Sequence, residues 1–260
     1  MSAEPPQPNA PLPRKRRSVR RLVDREFSTW PEFVQYVFEW SGRSIERQQP
    51  GLFRGQPNSR WRLVPTLDRL EKYPDDESRT RRAELLASQY GRQIRSLHGG
   101  TRVQETFKLE ELEMHGRHHG LPTRLLDWTE SPLIAAFFAF DALRDLRVED
   151  RTPSVTIWRL WKPYIGESGV RLVEIVEADE RLNERAVAQR SVFTRLVANR
   201  GSVNAAVPNA VARITIPAAE ARTALSFLDQ ANINPSTMYP GHDGAARTVV
   251  QRFMGAPSGT

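Results

Sequence analysis

The sequence predicts an α+β (or α/β) single domain, with helices flanking a small mixed sheet. Three observations lead there. The chain has 260 residues, enough for one sizeable core. Hydrophobic residues make up 39% and mean hydropathy is −0.55, the balance of a globular body. Short β-type runs also recur between longer helical patterns. The folded body is expected at 28–255, behind a basic arm at 1–27.

The elements follow in order. Residues 1–13 hold five prolines and almost no large apolar side chains, so disorder is expected. Seven basic side chains (Arg14, Lys15, Arg16, Arg17, Arg20, Arg21 and Arg25) face two acids within residues 1–25, a net +5 of the chain's +7. Only +2 remains for the other 235 residues. The high pI therefore reports an arm, not a basic domain. Two readings of the arm stay open: a solvated tail, or nucleic-acid contact through Arg14, Lys15, Arg16, Arg17, Arg20 and Arg21 by counterion release.

Thr29-Trp30-Pro31-Glu32 fits a capping box with Pro in the first turn. Phe33, Val37 and Trp40 continue it as a helical stripe. Residues 52–56 and 61–64 read as short strands around Pro57-Asn58-Ser59. Residues 78–97 and 103–115 read as helices, the first with Leu85, Leu86, Tyr90 and Ile94 as its apolar positions. Residues 125–129, 154–161 and 212–216 read as strands, and 220–228 as a helix. Ser131 suits an N-cap and Pro132 the position after it. Leu133, Ala136, Phe137 and Phe140 then line one face of a helix.

Several chemistries are excluded. Cysteine is absent, which removes disulfides, thiolate metal sites and cysteine nucleophiles. There is no GxGxxG, GxxxxGK[ST] or GxSxG. No apolar run approaches a membrane span; the longest, 133–140, has eight residues. A cytoplasmic protein without membrane contact is expected. His115, His118 and His119 could share a helix face, but with no HExxH, no cysteine and no clear carboxylate partner no metal is expected. The strand-to-helix junction at Asp127, Trp128 and Thr129 suits a pyrophosphate, because helix N-termini attract anions. Its alternative is ordinary strand-to-helix packing.

Four stretches resemble one family. Leu52-Phe53-Arg54-Gly55-Gln56, with Trp61, Leu63, Pro65 and Arg69, resembles the opening signature of the FRG domain. His118-His119-Gly120-Leu121-Pro122-Thr123-Arg124-Leu125-Leu126-Asp127-Trp128-Thr129, with Ser131-Pro132, resembles its central signature. Residues 185–194 and 233–246 resemble its later motifs, so the resemblance spans about 30–253. Ser191 stands where the family pattern has Gly.

The order of these motifs is similar to that of ADP-ribosyltransferases, which implies a split sheet and NAD as substrate. The resemblance implies an NAD-dependent transferase, a toxin or phage-defence effector acting on nucleic acid or protein and held by a cognate antitoxin or immunity protein. The alternative is a non-catalytic nucleic-acid-binding or protein-interaction module. Under the first reading Arg54, Asp127 and Gln189 carry catalysis. Arg54, Gly55, His119, Thr123, Arg124, Trp128, Thr129 and Ser131 hold NAD, with Trp128 or Phe193 stacking on a ring. Gln189 falls where such enzymes place a glutamate, and it cannot supply a negative charge; Asp127, Glu130 and Glu184 are the acids nearby. Structural alternatives stay open for each: Arg54 pairing with a buried acid such as Asp127 to hold two strands, His119 bonding a backbone carbonyl, Arg124 in an ion pair, Gln189 satisfying backbone groups, and Trp128 in the core. A structural turn is expected at His242-Asp243.

Overall fold

A computed structural model describes residues 22–47, 51–97, 108–162, 165, 172–177, 184–197 and 201–254. The arm residues from Arg14 to Arg21, and with them the nucleic-acid expectation, lie outside the described residues. Among those described, seven strands form one mixed sheet: β1 (Arg25–Glu26), β2 (Gly51–Gln56), β3 (Leu125–Thr129), β4 (Ser154–Trp161), β5 (Val173–Glu177), β6 (Ser191–Leu196) and β7 (Val211–Pro217). Their order is β1-β7-β4-β2-β3-β6-β5. Only β1 and β7 run parallel. The α+β class and the flanking helices stand as the sequence predicts.

The helices are α1 (Trp30–Arg47), α2 (Thr66–Leu70), α3 (Asp76–Leu97), α4 (Leu109–His118), α5 (Pro132–Asp141), α6 (Glu184–Gln189), α7 (Val203–Ala206), α8 (Ala221–Gln230), α9 (Pro235–Met238) and α10 (His242–Met254). None among the described residues is long and apolar enough to cross a membrane. Period-2 alternation sorts the strands onto two cores. Phe53, Val155, Ile157, Ile214 and Ile216 face α1, α5 and α8. Leu52, Leu126, Trp128, Trp158 and Leu160 fill the opposite side with Leu63, Val203 and Val207.

The sheet is nearly divided in its middle. β2 pairs with β4 along its whole length, and β3 with β6 along its whole length. Between β2 and β3 a single register pair remains, Phe53 with Thr129. Beyond that pair the two strands diverge and leave a fork.

Several expectations need correction. The folded body begins before Ser28, because Arg25–Glu26 pairs with Ile214 and Thr215 and the Asp24 carboxylate accepts the Arg213 N–H at 2.8 Å. Residues 61–64 form no strand. Leu63 is buried as its apolar character demands, but its N–H donates to Asn204 Oδ1 and its carbonyl accepts the Val203 N–H, so no ladder is needed. The helix expected at 103–115 is described from Leu109 to His118; residues 103–107 lie outside the described residues. α5 is buried on nearly every side rather than along one face. His242-Asp243 opens α10 instead of forming a turn. β5, β6, α6, α9 and α10 were not foreseen, although Val192-Phe193-Thr194 carries the β-branched and aromatic signal of a strand.

Candidate functional site

The local chemistry of β2 explains the site. Gly55 faces α5 so closely that an added Cβ would collide with the Ala135 carbonyl and reach 2.7 Å from Ala139 N. Glycine is therefore a packing requirement there. Arg54 and Gln56 point to the other face. The Gln56 amide is held by Trp158, whose indole N–H donates to Oε1 at 2.7 Å.

The fork between β2 and β3 opens into a cleft of about 390 Å³. That lies within the range of about 300–1,000 Å³ usual for ligand pockets. Phe53, Arg54, Gly55 and Gln56 line one side, and Asp127, Trp128 and Thr129 the other. α2 contributes Arg69, α4 contributes Arg117, and α6 contributes Arg185 and Gln189. Trp61, Phe138 and Tyr239 supply aromatic walls.

Among the described lining residues Asp127 is the one carboxylate, and four arginines share the cleft with it. Arg54 Nη1 donates to the Asp127 carbonyl at 2.7 Å and to Oδ2 at 3.1 Å. Arg117 Nη2 donates to the same Oδ2 at 2.7 Å. The Arg54 side chain is 14% exposed and that of Asp127 32%. Nε of both Arg54 and Arg117 is buried without a hydrogen-bond partner among the described residues. Burial lowers the Arg54 pKa from its ordinary value; Asp127 opposes that shift, and Arg117 and Arg69 add to it. Burial and then Arg117 lower Arg69 in the same way. Guanidinium stays charged through such shifts. The cleft thus holds an excess of positive charge and orphaned donors, the setting for an anion with several oxygens.

The family comparison bears on these residues. Residues 49–147 match the family model of the FRG domain. That segment carries the FRG similarity. Within the matched segment lie Arg54, Gly55, Trp61, Arg69, Arg117 and Asp127, on which the cleft is built. The later stretches at 185–194 and 233–246 lie outside it. Comparison with curated proteins and with solved structures returns no match.

The cleft gathers some of the expected residues and leaves others out. Arg54, Gly55, Asp127, Trp128, Thr129 and Gln189 line it. Arg54 also meets its structural alternative, since it ties β2 to Asp127 of β3 where the ladder fails. Trp128 is 2% exposed and its indole N–H donates to Thr194, so it is chiefly core. The Gln189 amide donates to the Met238 carbonyl at 2.8 Å.

His119, Thr123, Arg124 and Ser131 do not line the cleft. His119 is exposed at the end of α4 with its ring on His115, 4.8 Å away. Arg124 pairs with buried Glu113 and donates to Thr80. Buried Thr123 accepts the Leu125 and Leu67 N–H groups. Ser131 caps α5, accepting the Ile134 N–H. Much of the helix start expected to cradle a pyrophosphate is already engaged. Pro132 has no N–H, Ser131 N–H donates to Thr129, and the Ala135 N–H donates to the Ser131 carbonyl. Phe193 is buried and not in the lining. Glu130 pairs with Lys162 and Arg190, and neither it nor Glu184 lines the cleft. Beside Ser191 the left-handed backbone falls on Arg190 (φ 48°), so the glycine of the family pattern is not demanded at 191.

Sequence reasoning did not assign Arg69, Arg117, Arg185, Trp61 or Tyr239 to the site. Trp61 and Arg69 stood within the opening signature, which was the available signal. Arg117 stood next to the central one.

Proposed function

We propose that the chain is an NAD-dependent ADP-ribosyltransferase whose pyrophosphate site is the arginine-lined fork between β2 and β3. One observation carries the reading: the guanidiniums of Arg54, Arg69 and Arg117 act on the single Asp127 carboxylate in a cleft with aromatic walls. Arg54, Arg69 and Arg117 offer a pyrophosphate planar, multidentate donors. Tyr239 and Phe138 offer apolar faces to a ring.

In the proposed reaction the bond between ribose C1′ and the nicotinamide nitrogen breaks, and nicotinamide leaves with the electron pair. A lone pair on the acceptor forms the new bond to C1′, and the acceptor's proton passes to water. Positive charge develops at C1′ on the way, and an anion beside it lowers the barrier. Asp127 is the anion the lining provides, and ligand phosphate that engages Arg54 and Arg117 releases its carboxylate for that role.

Calorimetry with ADP-ribose and transfer assays with labelled NAD test this together. Arg54→Ala should weaken ADP-ribose binding at least about tenfold, through loss of a charge-assisted contact. Asp127→Asn should bind as tightly as the native chain or tighter, because it removes the competing anion, while transfer falls by about 10² or more. Undiminished transfer by Asp127→Asn would remove Asp127 from the mechanism.

A second reading, a module that binds the ligand without turning it over, is favoured by a specific observation. No glutamate lines the cleft among the described residues, and Gln189 holds a backbone carbonyl. Binding of ADP-ribose with no nicotinamide released from NAD would select it.

A further inference from the structure

We infer that the mouth of the cleft docks single-stranded nucleic acid, with a base stacked on Trp61 as the acceptor of the transfer; this rests on the NAD reading above. The loop from Pro57 to Arg62 borders the cleft through Pro57 and Trp61. It is pinned from beneath. The buried Asn58 amide donates to the Asp150 carbonyl, and its Oδ1 accepts the Arg60 N–H at 2.8 Å. The Ser59 N–H donates to Thr152 Oγ1 at 3.0 Å, and the Trp61 N–H to the Asn58 carbonyl at 3.3 Å. A loop held this firmly presents Trp61 with 37% of its surface exposed at the mouth. An indole fixed in water at the edge of a charged cleft is a ready stacking platform.

The charges around it have one sign. Residues 54–70 contain Arg54, Arg60, Arg62 and Arg69 and a single acid, Asp68. Asp68 is occupied by Arg79 of α3, through Nε to one oxygen and Nη2 to the other at 2.7 Å. Arg60 and Arg62 are exposed, and their side chains make no hydrogen bond or ion pair among the described residues. Arg69 lines the same cleft as Trp61. Cationic side chains beside an exposed aromatic match a phosphate backbone with accessible bases. A single strand is required, because a base stacked in a duplex cannot reach a cleft wall. An acidic protein would use the arginines but leave the indole face without purpose.

The test uses the full chain and a short fluorescent oligothymidylate in anisotropy titrations. Trp61→Ala should weaken binding about tenfold, the loss typical of one stacked base. The double variant Arg60→Ala, Arg62→Ala should also weaken it and reduce the salt dependence by about one phosphate contact or more. Because the arm is intact in every variant, these losses report the loop. Native affinity in both variants overturns the inference, as does competition by polyglutamate equal to that by unlabelled oligonucleotide. ADP-ribose calorimetry on the Arg60/Arg62 variant separates the two readings. Unchanged ADP-ribose affinity with weakened oligonucleotide binding supports the docking surface. A native chain that binds oligonucleotide through Trp61 but no ADP-ribose keeps the surface and overturns the transfer.

Discussion

Asp141 shows how one side chain joins the cleft to the body of the fold. It ends α5, is buried, and accepts the Tyr239 hydroxyl at 3.2 Å, so it fixes the tilt of an aromatic wall. Arg247 lies 3.6 Å from it and stands over the Tyr239 ring. Burial raises the Asp141 pKa from 3.8, against the pull of Arg144, Arg247 and Tyr239 and with a smaller push from Asp145. Burial likewise raises Tyr239, reinforced by Asp141. A carboxyl raised on folding binds its proton more tightly in the native state. Its contribution to stability therefore falls as pH rises from about the unfolded value through the raised one. Thermal melts of Asp141→Asn and the native chain across acid to neutral pH check this. The native chain should gain on the variant as pH falls, and a pH-independent difference would contradict it. No sequence pattern marked Asp141, since its partners lie on α10 and beyond α9 and its burial comes from their packing.

At the scale of elements, the fork depends on how closely β2 approaches α5. Gly55 sits against the backbone of Ala135 and Ala139, and small residues on α5 allow that contact. Gly55→Ala should cost about 3 kcal/mol by overpacking against backbone that cannot yield, measurable by denaturant unfolding. A neutral result would mean that α5 can shift away. Strand β2, strand β3 and helix α5 with its Ser131 cap were legible in the sequence, because alternation, capping and apolar periodicity are local. The loop at 61–64 was misread because Leu63 is buried without a ladder. Its apolar character could not tell burial by a strand from burial by a pinned loop. The start of α5 was legible as a helix end but not as one whose N–H groups are largely taken, since their partners are visible only in three dimensions.

For the whole molecule, charge is the connecting quantity. Outside the first 25 residues the chain carries only +2, yet the cleft brings the guanidiniums of Arg54, Arg69 and Arg117 to one carboxylate. Such a cluster destabilises itself until an anion enters. ADP-ribose at about 100 times its Kd should add about 2.7 kcal/mol of stability. The gain is expected as a rise in Tm of several degrees that shrinks with added salt. A Tm indifferent to ADP-ribose would count against an anion site here. The sequence by itself determined the α+β class, β2, the strand-to-helix unit from Leu125 to Asp141 and the FRG signatures, because periodicity, caps and short motifs act between neighbours in the chain. Only the tertiary structure decided that Arg69, Arg117, Arg185 and Tyr239 meet Arg54 and Asp127, and that His119, Thr123, Arg124 and Ser131 do not. Convergence of residues far apart in sequence is set by where two strands part, and that is a property of packing rather than of any local run.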